Sequence, residues 1–160
     1  MIESTLCYIE KDGKYLMLHR IKKKNDVNHD KWIGIGGHIE EGETPETCIL
    51  REALEETGLT LTRYSYRGIV DFHSDIYDNE RMHLFTCTEY EGEMIQCDEG
   101  NLEWISKKDL LALPMWEGDK IFLRLIDSDE PFFRLSLEYR GETLVAASLN
   151  GQSISASGEV

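Results

Sequence analysis

A glycine-dense loop runs straight into a helix loaded with carboxylates, and this junction constrains the fold more than any other stretch of the chain. Residues 32–43 (WIGIGGHIEEGE) hold four glycines in twelve positions, which predicts a tight loop and not a regular element. Residues 44–58 predict a helix. Thr44 can cap it, Pro45 suits a first turn where no N–H is missed, and Gly58 stands where a left-handed C-terminal cap belongs. Ile49 with Ala53, and Leu50 with Leu54, recur at helical spacing. Glu52 lies three residues before Glu55 and four before Glu56, so the three carboxylates crowd one side of that helix. Like charges at this spacing destabilise a helix by roughly 0.2–0.5 kcal/mol per pair. The last two turns are also where the helix dipole disfavours anions. A solvated acidic face is one reading of the cluster. A hard dication, Mg²⁺ or Mn²⁺, would reverse both penalties, whereas zinc favours His and Cys.

The rest of the chain reads as strands with interspersed helices. Leu6–Ile9 and Tyr15–Leu18 are apolar runs joined by Lys11-Asp12-Gly13-Lys14, whose Asp-Gly pair supplies the positive φ of a hairpin turn. Residues 21–31 are polar and predict a loop. Strands are expected near 63–73, 81–90 and 102–105, then a helix over 107–113 that Ser106 can cap, and a helix over 119–126. Residues 132–139 and 142–148 predict a last hairpin about Arg140-Gly141, and the small polar tail from Asn150 is expected to fray. The pattern is that of a mixed sheet covered by helices, an α/β (α+β) class, in a single domain over 1–149 with a flexible tail over 150–160.

Charge and composition narrow the function. The 160 residues carry 17 Lys+Arg against 31 Asp+Glu, a formal charge of −14. That sign argues against a duplex-DNA partner, which requires a basic face, and a phosphate ligand here must be neutralised by other means, a divalent cation being the obvious one. The longest apolar run, Leu110 to Trp116, is seven residues and is broken by Pro114. A bilayer span requires about 20. The N-terminal residues lack the pattern of a secretory signal, and Cys7, Cys48, Cys87 and Cys97 are scattered without a CxxC. Thiols in a reducing, cytoplasmic setting are therefore expected, with no membrane partner.

Loop and helix together spell one pattern: Gly37, five residues, Glu43, seven residues, then Arg51-Glu52-Ala53-Leu54-Glu55-Glu56-Thr57-Gly58-Leu59. This resembles the Nudix box, GX5EX7REUXEEXGU, with every fixed position met and Ala53 as the one small residue at an aliphatic site. The resemblance implies a Nudix-type α/β/α sandwich around a mixed sheet, and metal-dependent hydrolysis of a nucleoside diphosphate linked to another group. It implies that Glu52, Glu55 and Glu56 ligate Mg²⁺ (Mn²⁺ being possible) with the carbonyl of Gly36, that Arg51 orients the glutamates, and that Glu43 anchors the loop from behind. Gly37 and Gly58 are structural in the motif. One glutamate must accept a proton from water, with Glu52 and Glu99 as the candidates.

Three weaker stretches resemble the MutT-type branch, which hydrolyses oxidised purine nucleoside triphosphates. WIGIGGH (32–38) is similar to WNGFGGK of eukaryotic members. RMHLF (81–85) with Cys97-Asp98-Glu99 is similar to an MHVF strand and a later Ser-Asp-Glu loop. Met115-Trp116-Glu117-Gly118-Asp119 is similar to Met-Trp-Pro-Asp-Asp. By this resemblance Glu99 approaches the metal, Trp116 stacks on the purine and Asp119 bonds its edge, where a protonated carboxyl both donates and accepts. The alternatives are an exposed acid for Glu99, a core tryptophan for Trp116 and a helix N-cap for Asp119. Arg20, Gly37 and His38 are further substrate-binding candidates, Arg20 toward a phosphate. Ile33 replaces an asparagine, Gly118 the first of paired aspartates, and His38 a lysine, departures that bear on base choice. His19, His29, His73 and His83 form no HxxxH pair and read as surface or core residues. The expected activity is hydrolysis of 8-oxo-dGTP or a related oxidised purine dNTP to nucleoside monophosphate and pyrophosphate, in a monomer or homodimer. Alternatives are ADP-ribose, a dinucleoside polyphosphate, an RNA 5′ end, or a nucleotide-sensing module without turnover.

Overall fold

The computed structural model describes residues 1–22, 26–97 and 100–155. Its strands are β1 (Ile2–Lys11), β2 (Lys14–His19), β3 (Trp32–Ile33), β4 (Thr60–Ser74), β5 (Glu80–Glu91), β6 (Asn101–Ser106), β7 (Phe133–Arg140), β8 (Thr143–Leu149) and β9 (Gln152–Ile154). The helices are α1 (Pro45–Thr57), α2 (Lys107–Leu110) and α3 (Glu117–Asp127). The strands form one mixed sheet in the order β3-β2-β1-β5-β4-β7-β8-β9, with β6 on β2; β1 runs parallel to β5 and β4 parallel to β7.

Period-two alternation along the strands sends side chains to two separate cores. One face gathers Cys7, Ile9, Leu16, Leu18, Phe85 and Cys87 beneath Ile49 and Ala53 of α1. The other gathers Leu6, Tyr8, Met82, Leu84, Leu135 and Leu137 beneath Ile121, Phe122, Leu123 and Ile126 of α3. The result is the helix–sheet–helix sandwich expected. All four cysteines are buried thiols, and no helix among the described residues is long and apolar enough to cross a membrane.

Local chemistry sets the element ends. Asp12 and Gly13 have φ of 53° and 75°, as the first hairpin turn requires. Thr44 accepts from the Thr47 N–H at 3.1 Å while the Thr44 N–H donates to Thr47 Oγ1 at 2.9 Å, a capping box closed by threonine. Gly58 closes α1 in the left-handed region, φ 80°, and its N–H donates to the Leu54 carbonyl at 2.9 Å.

The structure corrects five expectations. The glycine-rich stretch is wedged between the splayed strands of the first hairpin: Trp32 and Ile33 pair with β2, while Ile35 and His38 bridge to Cys7 and Ser4 of β1. Leu54, read as part of the apolar face of α1, is 52% exposed, because the buried face of the helix is formed by Cys48, Ile49, Ala53 and Thr57. Ser106 does not cap α2; it is the last residue of β6, paired with Lys14, and the Lys107 N–H finds the Gly13 carbonyl instead. Asp119 does not cap α3, which begins two residues earlier with Trp116 as its flanking residue. The chain from Asn150 does not simply fray: Asn150 and Gly151 turn at positive φ, and β9 pairs with β8.

Candidate functional site

The glycine loop brings the helix face and β1 together. The Thr5 N–H donates to the Gly37 carbonyl at 2.9 Å and the Cys7 N–H to the Ile35 carbonyl at 2.6 Å. A Cβ at Gly36 would stand 1.9 Å from the Thr5 carbonyl oxygen, so only glycine lets the loop lie this close to β1. A Cβ at Gly37 would fall 2.4–2.6 Å from the Glu52 carboxyl group, so the bare backbone makes room for that side chain. No hydrogen bond among the described residues ends on the Gly36 carbonyl.

Arg51 organises the carboxylates. Nε and Nη2 grip Glu43 at 2.7 and 2.9 Å, Nη1 donates to Glu52 Oε1 at 2.8 Å and to Glu55 Oε2 at 3.2 Å, and Nη2 also reaches the His38 carbonyl at 3.2 Å. The Arg51 guanidinium, with a further hydrogen bond from the Glu40 N–H, holds the Glu43 carboxyl down to about 2. The same carboxylates push the Arg51 pKa above its already high value. Glu52 is largely enclosed, Glu56 half-buried and Glu55 exposed, so the cluster grades from loop to solvent. Glu99 lies outside the described residues.

The opposite face of the sheet holds Asp119 and Trp116. Asp119 sits in the first turn of α3, 5% exposed, and burial pushes its carboxyl up to about 8, with Lys31 pulling it down and Glu80 pushing it further up. Trp116 is half-buried. Its Nε1–H donates to Asn28 Oδ1 at 2.8 Å, and the Lys31 ammonium lies 4.5 Å from its ring centroid. The flat face expected for a base is thus occupied by a cation in this structure. Arg20 donates to Asp26 Oδ2 at 2.7 Å, so this contact holds its own loop together. The His38 side chain is exposed, 4.0 Å from Glu80.

Sequence reasoning passed over Ser4, Lys31, Glu80 and Tyr139. Ser4 Oγ donates to Glu80 Oε2 at 2.7 Å, and Glu80 stands between His38 and the field of Asp119, linking the glycine loop to the α3 pocket. Tyr139 reaches α3 from β7. None of these carries a motif; they meet only through the sheet order.

Residues 3–126 match the model of the NUDIX domain. The chain belongs to the Nudix hydrolase family. It is 33% identical over 124 residues to the oxidized purine nucleoside triphosphate hydrolase of Danio rerio, covering 76% of this chain and 77% of that protein. It is 27% identical to the CTP pyrophosphohydrolase of Escherichia coli (strain K12) over 74% of this chain and 86% of that one. The crystal structure of a MutT protein from Bacillus halodurans superposes with a TM-score of 0.83 at 29% identity, covering 94% of this chain and 98% of that one. This Nudix hydrolase therefore shares the MutT fold, and likeness to the oxidised-purine enzymes is part of what places it.

Nudix hydrolases generally use divalent metals. The donor chemistry here suits one: three carboxylates on successive turns, an unengaged Gly36 carbonyl, and a Gly37 that leaves the Glu52 carboxylate its space. Among the described residues no three His, Cys, Asp or Glu side chains are gathered closely enough to hold a metal ion as they stand. Arg51 draws Glu52 and Glu55 to its own side of the cluster.

Proposed function

We propose that this Nudix hydrolase cleaves a purine nucleoside triphosphate, with 8-oxo-dGTP as the preferred substrate, to nucleoside monophosphate and pyrophosphate. The observation that carries this reading is the buried Asp119. A carboxyl pushed up to about 8 is protonated at neutral pH, and it can then donate and accept on one base edge. Trp116 beside it offers an aromatic face once Lys31 moves aside.

In this reading Glu52, Glu55, Glu56 and the Gly36 carbonyl, with Glu99, hold the metal. When bound, the metal neutralises charge on the phosphate oxygens and makes a nearby water easier to deprotonate. Glu52, enclosed and positioned by Arg51 and by the bare Gly37, takes the water's proton, with Glu99 as its rival. Arg51 and Glu43 keep that base in place.

Product analysis over a panel of 8-oxo-dGTP, dGTP, CTP and ADP-ribose with Mg²⁺ tests the reading. The highest kcat/KM is expected on 8-oxo-dGTP, with monophosphate and pyrophosphate as products, and Glu56→Gln is expected to lower kcat by about 10²-fold or more. Unchanged turnover in that variant would overturn the assignment of the cluster. One comparison favours a second reading: a CTP pyrophosphohydrolase is among the relatives. Fastest turnover of CTP would select it.

A further inference from the structure

Gly118-Asp119 stands where the Met-Trp-Pro-Asp-Asp segment that it resembles has two aspartates. The structure shows what fills the vacated place. The Gly118 N–H donates to the Tyr139 hydroxyl oxygen at 2.7 Å, and a Cβ at Gly118 would stand 2.7 Å from that same oxygen and 2.4 Å from Leu137 Cδ1. A side chain at 118 would have to push aside the ends of both Leu137 and Tyr139, so the glycine is what lets the hydroxyl approach the helix backbone. Tyr139 is 5% exposed. Its ring stands edge-on to Trp116, centroids 5.2 Å apart at 81°, and lies along Phe72 at 6.5 Å and 25°.

The hydroxyl is half-used. Its oxygen accepts from Gly118, but its own hydrogen has no acceptor among the described residues. Burial first, then the nearby Asp119, keeps the phenol from ionising, so it remains a neutral donor. A buried donor with no acceptor is costly, which makes an acceptor supplied by a ligand favourable. Asp119 adjoins Gly118 on the same turn and its charge is felt at the Tyr139 phenol, so the group proposed to read the base edge lies near this hydroxyl.

We infer that Tyr139 is a specificity-determining residue, donating its hydroxyl hydrogen to the 6-carbonyl of the base, so that the enzyme selects 6-oxo over 6-amino purine nucleoside triphosphates. The inference rests on the purine reading above and sharpens it. A 6-carbonyl accepts from the hydroxyl, whereas a 6-amino group can use only the oxygen's remaining lone pair and leaves the hydroxyl hydrogen without an acceptor in a buried site.

The test is the ratio of kcat/KM for dITP to that for dATP, two nucleotides that differ at this edge, with 8-oxo-dGTP run alongside. The wild-type ratio is expected to be about ten or more, and Tyr139→Phe is expected to bring it close to one. A merely structural role for the ring would lower both rates and leave the ratio in place. A wild-type ratio near one, or a ratio unmoved in a folded Tyr139→Phe variant, overturns the inference. Should loss of the Gly118 acceptor unfold that variant, 3-fluorotyrosine placed at 139 keeps the acceptor and strengthens the donor. The ratio must then rise, and an unchanged ratio overturns the inference. Turnover of purines without a 6-position preference refutes this inference alone, whereas no purine turnover beside rapid turnover of CTP or ADP-ribose refutes the purine reading itself.

Discussion

Arg51 donates to five partners: Glu43 in a two-pronged grip, Glu52, Glu55, the His38 carbonyl and the Cys48 sulfur. A lysine would keep the charge and lose the fork. Arg51→Lys is therefore expected to lower kcat by about 10- to 100-fold, through a mispositioned Glu52. It should also change the response to acid. The Glu43 carboxyl is depressed to about 2 in the folded state, so its pairing stabilises the protein fully above the ordinary carboxylate range and is lost as pH falls toward 2. The Tm gap between wild type and Arg51→Lys should be widest above about pH 5 and close by about pH 2; a gap that persists at the acid end would show that Arg51 stabilises the fold by packing alone. At this scale the box glutamates, Arg51 and Glu43 were legible because fixed spacing names them one by one. Asp119 was only half legible. Its residue type reads equally as a cap, and its burial is a property of the assembled fold and not of its neighbours in sequence.

Among elements, the glycine loop shows where pattern reading stops. Four glycines announce an irregular segment, yet they say nothing of the strand it leans on. The three-dimensional reason for Gly36 is the Thr5 carbonyl, and for Gly37 the Glu52 carboxylate. The two residues should therefore fail differently. Gly36→Ala drives a methyl into backbone and is expected to destabilise the fold by several °C in Tm. Gly37→Ala meets only a side chain that can swing away, so Tm should fall little while kcat falls sharply. Thermal melts and steady-state rates on the two variants check this, and equal loss of stability in both would refute the division. The ends of α1 were readable because Thr44, Pro45 and Gly58 each act locally. The start of α3 was not, since the Gly118 N–H is satisfied by Tyr139 from β7 and not by a neighbour in sequence. The Asn150-Gly151 turn into β9 carries a hairpin signal in its own two residues, masked by the small polar composition around it.

For the molecule as a whole, the sheet separates two electrostatic problems. On the α1 face one arginine gathers an excess of carboxylates and holds Glu43 ionised; on the α3 face a single carboxyl is buried. The fold tolerates the second at a cost that depends on pH. In the unfolded chain Asp119 ionises near its ordinary pKa of 3.8, whereas in the fold it does so at about 8. Between those values folding takes up a proton, so stability falls as pH rises across the window and levels off above it. Lys31 opposes the effect and Glu80 adds to it, so both belong to the same balance. Asp119→Asn removes the titration while keeping a group that both donates and accepts. Its Tm should vary less than that of wild type between pH 5 and pH 8, and should exceed the wild-type Tm by several °C at pH 8, where the buried charge is present only in the parent. Glu43 titrates well below this range, so its contribution and that of Asp119 can be read separately in one pH series. Parallel Tm curves for wild type and Asp119→Asn across this window would mean that water reaches the Asp119 carboxyl, and the proton proposed for base recognition would not be there.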